Sequence, residues 1–308
     1  MSQIITVPFI GRISPEYHYL FAQIDEVVPI EQSFADSTHV LWHFEQGGGQ
    51  QFLKLCDHNK CLSSVFWQLM KSLFSLDLPV ALGSYDEVYE LIADRSLCRL
   101  PKLIVSASCE VSEDDHFSAF ILTDFIQGYA LDPLTISNQQ VEQLAGHIAS
   151  LHQSSSETAG PVFATPESQR ATIDQWQVRL KSVLVSLAEQ RTDEFAVSAV
   201  DLVDQLRLDD FQLIMPDLRW DQFLQLEDGN LALVDLDAFV WGPKALELVL
   251  LEYLLDGEQA EVFKTVYSQK HELPDLALER LVYRVVLFQM NVLGESDLQV
   301  WMNHPSRF

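Results

Sequence analysis

The sequence predicts an α+β fold with an antiparallel-sheet front and a mainly helical back. Two observations predict it. Up to about residue 125, apolar residues alternate with period two around glycine turns, and beyond Gly128 they recur at three- and four-residue spacing. A third observation marks the exception: residues 211–240 alternate short apolar runs with turns inside the helical half. With 308 residues, 48% of them hydrophobic, the chain is long enough for two lobes and apolar enough to fill them.

In the front half, residues 38–44 and 51–55 alternate as strands, and Gly47-Gly48-Gly49 between them suits a hairpin turn because glycine tolerates positive φ. Val65, Phe66, Leu69, Leu73 and Leu76 predict a helix over 62–76. A shorter helix is expected from Asp86 to about Ala93, with Ser84 as its N-cap. Strands follow at Leu103–Val105 and Phe120–Thr123, separated by the acidic turn Glu110–Asp115. In the back half, helices are expected over 138–152, 167–189, 195–207, 243–256, 258–269 and 275–293. The chain thus divides into an N-terminal lobe, 1–125, with an inserted helix at about 60–78, and a C-terminal lobe, 126–308, joined near Asp124–Gly128.

Charge narrows the partners. Forty-five acidic residues against 19 basic ones leave a formal net charge of −26. Nucleic acid and anionic membranes both need Lys/Arg clusters, which are lacking, so neither is expected as a partner. An acidic surface favours solubility and attracts cationic small molecules. Cys56, Cys61, Cys98 and Cys109 fit no zinc spacing and read as reduced thiols. No basic-then-apolar leader and no apolar run of about 20 residues is evident, so a cytoplasmic location is expected.

The block 211–240 carries chemistry. Asp217 leaves the apolar run Phe211–Met215, Gln222 follows five residues on, and a turn at Gly229 returns the chain to Asp235 and Asp237. Phosphoryl transfer needs such a set: one carboxylate takes the proton of the attacking hydroxyl, while an amide oxygen and another carboxylate hold Mg²⁺ against nucleotide phosphates. Read alone, the acids also fit turn caps. Lys54, flanked by apolar residues, either faces a cleft and holds phosphate or lies on an exposed strand face. Glu87 or Glu90 is its natural helix partner, and spacing favours Glu87. Trp220 and Trp241 flank the substrate side. His39 and His43 read as ordinary strand residues.

The whole series resembles the aminoglycoside phosphotransferase, choline kinase and fructosamine kinase group, which shares the protein-kinase-like fold. The group's loop reads His-Gly-Asp-Leu-x-x-x-Asn; here it is Met215-Pro216-Asp217-Leu218-Arg219-Trp220-Asp221-Gln222. Val234-Asp235-Leu236-Asp237 and Trp241-Gly242-Pro243 resemble its following strand. Leu122–Gly128 resembles its hinge, and Leu144–His152 resembles its helix ending in Leu-His. The likeness spans roughly residues 30–260.

The resemblance implies an ATP- and Mg²⁺-dependent kinase acting on a hydroxyl of a small molecule, such as an amino sugar or amino alcohol. Asp217 would be the catalytic base, Gln222 and Asp235 the metal ligands, and Lys54 the phosphate holder. Main-chain groups at 123–126, including Asp124 and Ile126, would receive adenine, with Leu53 and Leu233 packed near it. Asp237 would assist the metal or stay structural. Several residues depart from the pattern. Met215 replaces a bracing His, so support for the loop is expected from packing. Pro216 replaces Gly, and Gln222 is one methylene longer than Asn. The phosphate-covering turn within Gln32–Thr38 has no glycine, leaving Ser33, Ser37 and Thr38 to offer hydroxyls and amides. These departures motivate an alternative, a pseudokinase-like protein that binds a nucleotide or other ligand without turnover.

Overall fold

The computed structural model describes residues 7–31, 37–109, 116–163, 165–191 and 194–308. Its front half is an antiparallel sheet of β1 (Ile24–Ile30), β2 (His39–Gln46), β3 (Gly49–Asp57), β4 (Leu103–Ser108) and β5 (Phe117–Asp124), in the order β1-β2-β3-β5-β4. The β2–β3 turn places Gly47 at φ 60° and Gly48 at φ 78°, the conformation for which glycine is needed. The acidic turn Glu110–Asp115 lies outside the described residues.

The hairpin register decides which face does what. Leu41 pairs with Lys54 and His39 with Cys56, so these side chains share one face, while Trp42 and Leu53 share the other. The second face packs under two 3-10 segments, Ile10–Arg12 and Pro15–Phe21, in a core with Phe9, Phe21, Trp42, Phe44, Leu53, Phe120 and Leu122. Leu53, expected beside adenine, therefore faces away from Lys54, because neighbours on a strand point to opposite faces.

Between β3 and β4 the chain forms α1 (His58–Ser63), α2 (Val65–Phe74), α3 (Leu78–Ala81) and α4 (Asp86–Ala93). The single helix expected over 62–76 is thus two helices. They break at Ser64, whose Oγ accepts the Trp67 amide at 3.5 Å and caps α2. Ser84 does not cap α4. Tyr85 occupies that position, and its amide donates instead to Ser106 Oγ at 2.8 Å.

The back half contains β6 (Tyr129–Ala130), α5 (Asn138–Leu151), β7 (Ser155–Ser156), β8 (Gly160–Pro161), α6 (Ile173–Arg191) and α7 (Glu194–Leu202). It continues through β9 (Phe211–Ile214), β10 (Phe223–Gln225), β11 (Leu231–Leu233), β12 (Val240–Gly242), α8 (Lys244–Leu254), α9 (Gly257–Tyr267), α10 (Ala277–Met290) and α11 (Leu298–Met302). The sequence places these helices well but starts α6 early, since 167–169 is a separate 3-10 turn, and runs α7 past its end at Leu202. Small sheets β11-β10-β6 and β7-β9-β12-β8 carry the block 211–240.

Although early in the chain, α2 belongs to the back half by packing. Its Trp67, Leu69, Met70, Leu73 and Phe74 are buried with Trp176 and Ile214 in the larger core, and the Phe74 and Trp176 rings lie 4.9 Å apart. Burying five such side chains contributes on the order of 10 kcal/mol before entropy is counted. No single helix among the described residues is long and apolar enough to cross a membrane.

Candidate active site

Four buried residues of β9 deliver the loop that bears Asp217. The Met215 amide donates to Glu247 Oε1 at 2.7 Å. Glu247 is fully buried on α8, and its Oε2 lies 2.8 Å from His152 Nε2 at the end of α5; His152 Nδ1 lies 2.8 Å from the Tyr267 hydroxyl. The loop is therefore braced by a buried carboxylate network, not by packing alone as the Met215 substitution led us to expect.

Beyond Met215 the chain turns through Trp220–Gln222 into β10. Gln222 Nε2 donates to the Asp217 carbonyl at 3.0 Å and to Asp217 Oδ2 at 3.1 Å, while its Oε1 accepts the Arg219 amide at 3.0 Å. The side chain is nearly sealed and holds the loop from within. Expected as a metal ligand, Gln222 here makes hydrogen bonds within the loop. The extra methylene carries its oxygen to the Arg219 amide, so the amide end that meets Asp217 is a donor.

Asp217 is half-buried. Burial, together with the neighbouring charges of Asp235 and Asp237, pushes its carboxyl up to about 7, against a smaller opposing effect of Arg219. Beside it, Lys54 Nζ lies 2.8 Å from Asp235 Oδ1 and 2.5 Å from Asp237 Oδ2. Burial opposes ionisation of Asp235, but the Lys54 ammonium outweighs it and holds that carboxyl at about 2. Asp237, deeper and next to Asp235, is pushed up instead by burial and by that like charge. Its Oδ2 also lies 3.3 Å from His39 Nε2, and the Tyr85 hydroxyl donates to its carbonyl at 2.5 Å.

This cluster closes one end of a cleft of about 1050 Å³. Its walls come from Ser37–His39, from Lys60 and Ser63–Trp67 at the α1–α2 corner, from the Asp217–Asp221 loop, and from Phe288–Ser296 at and beyond the end of α10. Asp217, Asp221, Asp235, Asp237 and Glu295 line it against Lys60 and Arg219, so its lining is acidic.

Other expected residues fall elsewhere. Glu87 and Glu90 stand on the exposed face of α4, and the carboxylate partners of Lys54 are Asp235 and Asp237; α4 turns Tyr85, Val88 and Ile92 inward. Asp124 exchanges backbone and side-chain hydrogen bonds with Lys102, and the Phe125 amide donates to Gln50 O at 3.0 Å. Ile126 is buried. Leu233 is buried in β11, Trp220 lines the cleft, and Trp241 pairs with Leu213 in β12, outside that lining. Of the expected phosphate turn, Ser37 and Thr38 reach the cleft, while Ser33 lies outside the described residues.

His39, Tyr85 and Glu247 were not anticipated in these roles. For His39 a signal exists: counting back from the glycine turn sets Lys54 opposite Leu41, which puts His39 on the same face.

Among the described residues, no three His, Cys, Asp or Glu side chains converge as a cage for a metal. Mg²⁺ rarely uses one; it is commonly held by one or two carboxylates together with substrate phosphates. Asp235, about a third exposed, is the carboxylate that suits this mode.

No family model matches the sequence, and no curated protein matches it. Solved structures do match its fold. A protein assigned as a fructosamine-3-kinase from Haemophilus somnus 129PT superposes with a TM-score of 0.58 at 13% identity, covering 91% of this chain and 90% of that one. A choline kinase from Streptococcus pneumoniae gives 0.54 at 16% identity over 93% and 92%. A spectinomycin phosphotransferase in complex with ADP and spectinomycin gives 0.52 at 15% identity over 90% and 86%. The fold is that of the protein-kinase-like group.

Proposed function

We propose that this protein is a phosphotransferase that moves the γ-phosphoryl group of a nucleoside triphosphate, ATP by preference, to a hydroxyl of a small amine-bearing molecule. The observation that carries this reading is the meeting of a half-buried Asp217, its carboxyl pushed up to about 7, with the Lys54–Asp235–Asp237 cluster at the end of an acidic cleft. A general base works best with a pKa near ambient pH. Support also comes from the shared fold, in which one neighbour is a spectinomycin phosphotransferase in complex with ADP and spectinomycin.

In this reading the acceptor hydroxyl attacks the γ-phosphorus as the bond to the bridging oxygen breaks. Asp217 takes the hydroxyl proton, and the nucleoside diphosphate leaves. Lys54 exchanges one carboxylate for phosphate oxygens, and Asp235 would hold Mg²⁺, which would neutralise phosphate charge. Gln222 positions Asp217 by two hydrogen bonds. Asp221 and Glu295 attract an ammonium group on the acceptor.

A second reading has its own observation. The Gln222 oxygen is committed to Arg219, and Lys54 already bridges two carboxylates, an arrangement that suits ligand binding without turnover. Thermal shift with ATP, with and without Mg²⁺, followed by ADP release against a panel of amino alcohols and amino sugars, separates the two. Turnover abolished by Asp217→Asn supports transfer; ligand-induced stabilisation without turnover on any acceptor supports the second reading.

A further inference from the structure

Behind the inserted corner of the cleft, outside its lining, lies a pair of groups that phosphotransfer does not use. Cys56 lies near the end of β3 and Cys61 in α1, and their Sγ atoms are 3.4 Å apart. Both thiols are free and buried. Cys56 stands across the ladder from His39, which lines the cleft, and Cys61 follows Lys60, which also lines it. The β3–β5 pairing slips its register between Cys56 and Asp57, so the regular ladder ends at the first sulfur.

We propose that Cys56 and Cys61 form a modification site: a dithiol that hydroperoxides convert into an intramolecular disulfide. The sulfurs need to approach by only a little over ~1 Å to reach bonding distance. Their roles are unequal. The hydrogen bond with Cys61 comes first in holding the Cys56 thiol below its ordinary range, with His39 adding to it; the same bond, then burial, pushes Cys61 up. His39 stands across the ladder from Cys56, which makes Cys56 the attacking sulfur and Cys61 the resolving one in this proposal.

In the first step the Cys56 thiolate bonds to the distal peroxide oxygen and the O–O bond breaks. The departing alkoxide or hydroxide takes the proton that Cys56 had released, leaving a sulfenic acid on Cys56. In the second step the Cys61 sulfur attacks Cys56 Sγ, and the hydroxyl leaves as water with the Cys61 proton. Two thiols lose two electrons, and one hydroperoxide is reduced to an alcohol or water plus water. The product ties α1 to β3 and so fixes the cleft wall that carries Lys60 and Ser63.

The site is tested on the intact, folded chain with hydrogen peroxide, followed by denaturation, alkylation and site-resolved mass spectrometry. The expected result is loss of alkylation at Cys56 and Cys61 together, restored by dithiothreitol. Cys98 in the larger core and Cys109 in the outer core remain alkylated. In Cys61→Ser the expected product is a Cys56 sulfenic acid captured by dimedone, and in Cys56→Ser Cys61 stays unreacted. Should either variant fail to fold, the wild-type result decides alone. Full alkylation of both residues at peroxide levels that oxidise free glutathione would overturn the proposal. So would loss at Cys98 and Cys109 at the same rate.

Discussion

Glu247 Oε1 accepts the Met215 amide at 2.7 Å, at the start of the loop that holds Asp217. A buried carboxylate on a back-half helix thereby reaches under the reacting end of the molecule. Glu247→Ala leaves the Met215 amide and the His152 ring without this partner, at a cost of roughly 1–3 kcal/mol for each buried group unpaired. Glu247→Gln keeps one acceptor for the amide, and a tautomer change in His152 accommodates the other end, so it is expected to be milder. Urea unfolding of both variants checks the order. Equal losses would remove the hydrogen-bonding account.

Asp217 and its neighbours set a pH dependence with a definite sign. As a base Asp217 works ionised, so kcat/KM is expected to rise with pH through an acidic limb near 7. Asp237→Asn removes a like charge and moves that limb to lower pH. Arg219→Gln removes a nearby cation and moves it to higher pH. Shifts of the same sign in both variants would exclude Asp217 as the group observed.

Lys54→Met strands two adjacent carboxylates. Asp235, held at about 2 by the ammonium, contributes stability above its unfolded value near ~3.9 that is lost only as pH falls through the folded one. Without Lys54 the folded Asp235 titrates higher, and that contribution shrinks. The variant is expected to melt below wild type at pH 7 and to close much of the gap at pH 5, where protonation relieves the pair. A gap that is constant across this range would mean that lost packing of the lysine stem dominates.

Gln222→Asn shortens the side chain, so it can no longer span both Arg219 and Asp217. A loss of about 0.5–1.5 kcal/mol per hydrogen bond is expected. The freed carboxamide oxygen should strengthen the Mg²⁺ dependence of nucleotide-induced thermal shift. If stability falls while the Mg²⁺ response stays at the wild-type level, the amide at this position has no part in metal binding.

Gly242 sits where α2 meets β12. A Cβ there would lie 2.6 Å from Ile214 Cδ1 and 2.8 Å from Phe74 Cε1. Gly242→Ala is expected to cost about 1–3 kcal/mol through overpacking. Calorimetric melting tests this, and a neutral result would show that the α2 seat yields.

Much of this was legible in the sequence because it is local. Alternation and glycine placed β2 and β3, and spacing placed α5 and α8–α10; the order Asp217, Gln222, Asp235 survives as one cluster because a single tight turn joins its parts. What sequence reasoning missed depends on partners far along the chain. Glu247 and Met215 are 32 residues apart, and Tyr85 and the Asp237 carbonyl 152. Spacing favours Glu87 as the partner of Lys54, but spacing cannot tell which side of α4 turns inward, and Glu87 is on the exposed side. The chemical type of Gln222 suggests a metal ligand, whereas its hydrogen bonds in the loop follow from its reach.

The seat of α2 bears on how anything enters. Met70, Leu73 and Phe74 are fully buried against the back half, with the Phe74 ring on Trp176, so an opening about residues 124–128 would leave α2 in place and have to bend the chain at the α1–α2 corner as well. The two halves are in this sense stapled on one side. That corner lines the cleft together with Phe288–Ser296, so the second tie between the halves borders the site itself.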